Sequence, residues 1–494
     1  MFATSAASLI SLPLIASPLV YLAGHLPRCV RWISPRWAAL AAFVVMWIAY
    51  AAVLVDLRTQ GTLILSVEAV FLRVDGISLL VSGLALVLGT AVVLYSGPYV
   101  AGDMGEEKYY AMIMAMIGAI IGLVCAQDLF NLWIWFETMA ISSYLLVAFH
   151  REQLGSLEAG VKYLVQSACG SALVLLGVAL VLAQTGTLSL DDIRTFGAQS
   201  SVIAAAGVLF IVGFGVKIAL VPLHTWLPDA HAQAPSGVSA LLSGVVIEAG
   251  LIALLRALGP LTAISWGGWL VIFALVNIFI GNLLALRQRE VKRLLAFSSV
   301  SQIGYMLLGL GIALQTGQPE GAQAGLLHLL THGVMKGLAF LAVGALFYAL
   351  HASKGDHRPL MIDDLQGVAR RYPVTAAALT IALIGLAGIP PTAGFVSKFQ
   401  VLAAGIAAGD TALLLATAFA ALNSLLSIAY YIPMAIMLYR HDSGTQVEAG
   451  GAVPRAMTAP MMVLAVSVFV IGVAPSLLQS VTALAGADVV AWVR

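Results

Sequence analysis

Gly213-Phe214-Gly215-Val216-Lys217-Ile218-Ala219-Leu220-Val221-Pro222 places an ammonium and a helix breaker inside a run that is otherwise apolar. Lys336 and Lys398 sit the same way, each inside a stretch that otherwise reads as a membrane-spanning helix. Lysine at the centre of a bilayer costs about 2.5–3.5 kcal/mol on insertion scales. A buried ammonium is therefore kept for a use, most often in an ion or proton path.

Working outward, the chain of 494 residues is 61% hydrophobic and 10% charged, with mean hydropathy +1.00. A soluble domain would carry about 25% charged residues, so the expectation is an all-α membrane protein. About 14 apolar stretches are long enough for a transmembrane helix of roughly 20 residues. No stretch reads as a soluble domain; the longest polar one, His351 to Tyr372, reads as a loop with at most a short surface helix. The segment Ala6 to Ala23 has no Lys or Arg before it and reads as the first span rather than a cleaved signal. Cys29, Cys125 and Cys169 are far apart and suggest neither a disulfide framework nor a metal site.

The basic residues sort by loop. Of the 24 Lys and Arg, sixteen fall in one alternating set of loops, and only Arg58, Arg73, Arg194, Arg256 and Arg494 in the other set and the C-terminus. The three buried lysines make up the rest. The positive-inside rule puts the basic set in the cytoplasm and both termini outside, in a bacterial-type inner membrane.

The first pentapeptide recurs as Gly394-Phe395-Val396-Ser397-Lys398, five spans later and so in the opposite crossing direction. That predicts two inverted five-helix repeats, spans four to eight and nine to thirteen. The implied division is an N-terminal three-helix segment 1–105, repeats 106–258 and 259–440, and a C-terminal loop and span 441–494. Each pentapeptide adjoins breakers: Pro222, Pro228 and Pro235 after Lys217, and Gly388, Pro390 and Pro391 before Lys398. Proline removes a backbone donor and clashes with the preceding turn, so two broken helices are expected. Unwound backbone at membrane depth survives only inside protein or beside a wet cavity.

Two carboxylates lie deep in spans, Glu137 and Glu248. A carboxylate and an ammonium about 4 Å apart attract by roughly 4 kcal/mol at an effective dielectric of 20. Making or breaking such a pair decides whether a lysine holds its proton; the plainer reading is a static ion pair locking helices. The constellation is longer than a pair, however: Glu137, Lys217, Glu248, His328, His332, Lys336 and Lys398. His328, His332 and Lys336 are spaced to share one helix face, and the row suits a hydrated proton path along the membrane plane. His224, just past Pro222, is a candidate gate or a simple cap. Arg287 to Arg293 reads as a topological anchor, and Arg73 with Asp75 as a local pair. Nothing resembles a nucleotide loop, a haem or iron–sulfur ligand set, a metal site or a catalytic triad. We expect no cofactor in this chain and no nucleic-acid partner; any redox chemistry is left to other subunits.

At four places the residues resemble a known family. Asp128-Leu129-Phe130-Asn131-Leu132 with Phe136-Glu137, then Val216-Lys217 with Pro222-Leu223-His224-Thr225-Trp226-Leu227-Pro228-Asp229-Ala230-His231, resemble the antiporter-like subunits of the complex I superfamily. His328, His332 and Lys336, and Gly388-Ile389-Pro390-Pro391 with Lys398, match its second half. That family includes the N, M and L subunits of respiratory complex I, the large subunits of Mrp-type sodium/proton antiporters, and relatives in membrane-bound hydrogenases. The resemblance implies that Glu137 pairs with Lys217, that Lys336 with its histidines is a central relay, and that Lys398 is the terminal residue. It implies a place among other membrane subunits, moving protons and, as an open alternative, sodium ions. Glu248 departs from the pattern, standing where the family usually has a lysine or histidine. The L type carries a long lateral helix after its last span and is not expected here; Mrp D, complex I M or N types and the hydrogenase relatives remain. The rival classes are a self-sufficient transporter of an ion or solute, and a structural subunit without transport.

Overall fold

A computed structural model of the chain describes residues 2–25, 34–67, 70–101, 103–197, 200–352, 355, 358–442 and 444–493. Arg28, Arg31, Lys354 and Arg494 of the charge sorting, and Cys29, lie outside the described residues.

Helices α1 (Phe2–His25), α2 (Pro35–Gln60) and α3 (Gly76–Tyr99) come first, followed by two series of like composition. The first is α4 (Glu106–Cys125), α5 (Leu129–Val147), α6 (Leu154–Thr185), the short α7 (Leu190–Phe196), the broken pair α8 (Ser201–Lys217) and α9 (Trp226–Gln233), then α10 (Ser236–Leu241) and α11 (Ile247–Leu258). The second is α12 (Trp266–Leu286), α13 (Val291–Thr316), α14 (Pro319–Leu350), the short α15 (Val368–Arg371), the broken pair α16 (Pro373–Ala387) and α17 (Ala393–Ala407), then α18 (Thr411–Leu438). A short α19 (Thr445–Glu448), α20 (Arg455–Val473) and α21 (Ser476–Val493) complete the chain.

Local sequence accounts for many boundaries. Asp75, Asp128, Ser200 and Asp410 each accept a backbone N–H from the first turn of the helix that follows, satisfying one of its orphan donors. Gly186 and Gly317, both left-handed, close α6 and α13. Apolar length then sets depth: α10 and α11 are wholly enclosed, α13 and α14 nearly so, while α1, α2, α6 and α18 turn many residues outward.

Eleven helices among the described residues are long and apolar enough to cross a membrane. The other three expected spans fall on α5 and on the two broken pairs. Both breaks come where the prolines predict, and each holds a cis peptide, Val221–Pro222 and Pro390–Pro391.

Four features differ from expectation. The stretch before α3 is a two-stranded antiparallel hairpin, Leu63–Val67 against Val70–Val74. Leu63, Leu65, Leu72 and Val74 point inward and Ile64 outward, the period-two pattern of a half-buried strand. The C-terminal part holds a second helix, α21, packed on α14 and α3; Asp488 accepts from Gly76 N at 2.8 Å. Between α10 and α11 the backbone takes a π-helical turn, Leu242–Val246, one turn before Glu248. Finally, the two pentapeptides are not structurally equivalent. Lys217 is the last residue before its break, whereas Lys398 lies in the half-helix after its own. The two series share their order of elements, while the sequence match falls at non-equivalent places.

Candidate functional site

The first broken helix is held from three sides. Asn277 of α12 accepts from Val221 N at 2.9 Å and donates to the Ala219 carbonyl at 3.2 Å. Ala219 has φ 55°, a left-handed strain tolerated only because its surroundings fix it. Trp226 Nε1 caps the Val216 carbonyl at 2.7 Å. Lys217 is 1% exposed, and its ammonium donates to Tyr163 OH at 2.5 Å and Ser143 Oγ at 3.1 Å. Tyr163 and Ser143 are themselves 2.8 Å apart. Glu137 does not join them. It is half-buried on α5, forms no ion pair within 4 Å among the described residues, and leaves Oε1 buried without a hydrogen-bond partner. The direct Glu137–Lys217 pair is thus replaced by a hydroxyl cluster, because α6 inserts Tyr163 beside the lysine.

Glu248 has no exposed surface, and neither has His332, whose Nδ1 donates to Glu248 Oε1 at 2.8 Å. This contact joins α11 of the first series to α14 of the second. Glu248 Oε2 and His332 Nε2 have no hydrogen-bond partner among the described residues. Two residues beyond Glu248, a Cβ at Gly250 would meet Lys217 Cγ at 3.1 Å, so α11 lies directly on the stem of that lysine.

His328, His332 and Lys336 leave one face of α14 but reach three different neighbours. Lys336 donates to the Leu295 carbonyl at 2.6 Å and to Ser298 Oγ, both on α13. His328 Nε2 donates to Gln302 Oε1 at 3.0 Å, and its Nδ1 meets the Ser397 hydroxyl at 3.0 Å. Ser397 precedes Lys398, whose ammonium turns back to the Leu386 carbonyl at 2.9 Å and to Ser424 Oγ at 3.3 Å. Leu386 is in the last turn of α16, so Lys398 satisfies carbonyls that the break leaves orphaned, at the negative end of a helix dipole. Gly388 (φ 82°) makes the turn, and a Cβ there would lie 3.0 Å from Lys398 Cδ.

His224 lies in the first break, 8% exposed, with Nδ1 unpartnered and its ring edge-on to Phe297. The Arg287–Arg293 segment does more than anchor topology. Lys292 is buried and donates to the Ala234 carbonyl at 2.9 Å, and Arg293 reaches Asp229 at 2.7 Å, so α13 clasps the α9–α10 junction. Arg73 and Asp75 do not pair locally either. Asp75 binds Arg256 at 2.8 Å, both fully buried, and Arg73 lies 3.7 Å from Asp191.

Sequence reasoning missed Ser143, Tyr163, Ser298, Gln302 and Ser424, the hydroxyl and amide partners of the charged row. Their spacing carries no signal, since each meets its lysine or histidine across helices; only Ser397, beside Lys398, was near at hand.

A family model described as NADH:quinone oxidoreductase/Mrp antiporter, TM, matches residues 126–424, which hold every charged and histidine residue of this row. The chain belongs to that family. It is 31% identical over 409 residues to NADH-quinone oxidoreductase subunit N of Desulforudis audaxviator (strain MP104C), covering 78% of each chain. Its fold matches a chain of the membrane-bound sulfane sulfur reductase, an archaeal respiratory membrane complex, with TM-score 0.87 and 27% identity over 99% of both chains. A chain of the Mrp complex from Dietzia sp. DQ12-45-1b has the same fold, with TM-score 0.85 and 22% identity over 99% of this chain and 97% of that one. Respiratory complex I from Thermus thermophilus contributes a further match, TM-score 0.77 and 26% identity over 96% and 99%. The chain is therefore a multi-pass membrane protein of antiporter-like type, and its relatives work inside multisubunit membrane complexes.

Proposed function

We propose that this chain moves protons along its buried row as one subunit of a larger membrane complex, with the energy supplied by neighbouring subunits. The observation that carries the reading is the 2.8 Å contact of Glu248 with His332. It links a lysine cluster in the first series to a histidine–lysine cluster in the second, and each partner keeps one unpartnered polar atom for water. The direct contacts are interrupted between Glu137 and Lys217, between Lys217 and Glu248, and between His332 and both His328 and Lys336. Buried polar atoms without partners are the places where ordered water belongs.

Protons suit the row better than sodium. Its members are mainly ammonium and imidazole nitrogens, which donate N–H and repel cations, whereas hard cations take oxygen ligands. Sodium, where the complex moves it, is left to other chains, as is redox chemistry. We place the basic loops in the cytoplasm and both termini outside, in a bacterial-type inner membrane with fourteen crossings. The repeats divide at residues 106, 259 and 441.

The test is proton uptake by vesicles carrying the assembled complex. Lys336→Met is expected to reduce translocation at matched complex abundance by about a hundredfold or more, the scale of a lost proton-transfer group. Translocation equal to wild type would leave the chain a structural subunit.

A further inference from the structure

His231, in the last turn before α10, is wholly buried, and neither ring nitrogen has a hydrogen-bond partner among the described residues. A buried imidazole with both nitrogens unpaired forfeits the hydrogen bonds that water gave it, a cost only bound water or a function offsets. Its ring lies flat on Phe340 of α14, centroids 4.6 Å apart and planes at 12°. Lys336 lies one turn away on the same helix, 6.0 Å from the centroid of that phenyl ring.

In the other direction the same face of α14 continues through Gly344 to Phe347. At Gly344 a Cβ would collide with Ser236 and with the Tyr95 hydroxyl, which is also fully buried and unpartnered. Phe347 lies beneath the Lys292 ammonium, 5.6 Å from its ring centroid. Both line a cavity of about 60 Å³ whose wall includes Glu290, His150 and Gln233. A water needs about 10–15 Å³ of such space, so the cavity holds several. Burial pushes the Glu290 carboxyl above its ordinary range, against the pull of Arg293 and Lys292.

Residues 336, 340, 344 and 347 are spaced to share one helix face, and the eleven steps from first to last rise about 16 Å. Phe340 and Gly344 of that face are the positions where α9, α10 and α3 bring unpaired polar atoms against it.

We propose that this stripe is a second proton branch, filled by water, that connects the cavity at Lys292 to Lys336 through His231. The proposal rests on the proton-carrying reading of the row and adds to it an inlet from the side of the basic loops. In one passage a proton from cavity water adds to one ring nitrogen of neutral His231. The N–H proton on the other nitrogen leaves through bridging water to the unprotonated amine of Lys336. One proton has moved, the ring is again neutral in the opposite tautomer, and rotation of the ring restores it.

His231→Phe keeps a flat ring on Phe340 and removes both nitrogens. In vesicles carrying the assembled complex it should lower proton translocation by about a hundredfold, the low end of what a proton-transfer group contributes. Lys336→Met is measured beside it. Loss in Lys336→Met with wild-type rate in His231→Phe overturns the branch and leaves the row standing; wild-type rates in both overturn the row. The second measurement needs no variant. Hydroxyl-radical footprinting of the wild-type complex labels buried side chains that touch bound water, and His231 and Tyr95 should be oxidised. Protection of both overturns the branch, whatever the assembly of the variant.

Discussion

Tyr163 and Trp226 stack face to face, ring centroids 3.9 Å apart and planes at 4°, while the tyrosine hydroxyl receives the Lys217 ammonium and the indole N–H caps the Val216 carbonyl. One aromatic pair therefore fixes both the end of α8 and the position of its lysine. Tyr163→Phe keeps the stack, worth about 0.5–1.5 kcal/mol, and removes only the hydroxyl. We expect normal assembly with proton translocation reduced several-fold. Trp226→Ala should instead reduce assembly, because it frees a buried carbonyl and the stack together; complex abundance on native gels separates the two.

Glu137 has no direct ionic partner among the described residues, so Glu137→Gln should leave complex abundance unchanged. As a charge acting at a distance on Lys217 it should still lower translocation in vesicles. Wild-type translocation in Glu137→Gln would remove this residue from the row.

Glu248 receives the His332 Nδ1–H. Glu248→Gln retains an oxygen acceptor and loses the charge, so the complex should assemble and translocate about a hundredfold less. Glu248→Lys points N–H donors at another donor in a site closed to bulk solvent, and should assemble poorly. Equal coupling in both variants and wild type would show that the sign of charge here has no bearing on transport.

Lys398 satisfies the carbonyl end of α16, an arrangement worth about 0.3–1 kcal/mol at exposed sites and up to about 2 when partly buried. Lys398→Met should therefore cost some stability and, at matched abundance, more of the translocation. Lys398→Arg should restore the former and little of the latter, since a guanidinium does not release its proton at accessible pH. Full recovery of translocation by arginine would make Lys398 a fixed charge rather than a carrier.

Asp75 and Arg256 form a buried pair, and the guanidinium also lies 4.4 Å from the Trp492 ring centroid, tying α3, α11 and α21 together. Asp75→Ala leaves a buried unpaired cation, a loss of roughly 3–5 kcal/mol. Thermal unfolding of the detergent-purified complex should shift down markedly. Removing both charges, Asp75→Leu with Arg256→Met, should recover most of that shift.

The helices and both breaks were legible because each depends on local chemistry: apolar length for the spans, proline for the breaks. The three lysines and two carboxylates were legible for the same reason, as charges in places that exclude charge. Partners were not. Tyr163 reads as one more aromatic of α6 until α8 and α9 close on it, and Arg256 reads as a loop cation until Asp75 is seen opposite. The hairpin was hidden by its brevity, five residues a strand, and the π-helical turn by having no composition of its own. His231 stood inside the most distinctive stretch of the chain, yet nothing in its neighbours in sequence says that its nitrogens are left unpaired.

The turn Leu242–Val246 closes its hydrogen bonds over five residues where the helix on either side uses four. It therefore stores one surplus residue, and each residue of an α-helix turns the chain by about 100°. Glu248 faces His332, and Gly250 admits Lys217, only with that surplus in place. Deleting any one of these five positions would keep every polar residue of the row in the sequence and turn the two halves of the helix out of phase. Glu248 and Gly250, which both follow the turn on α11, would then swing together by about 100° relative to α10, away from His332 and Lys217 while α10 keeps its packing. The connection between the halves is thus written in a residue count, at a point where no side chain takes part in it.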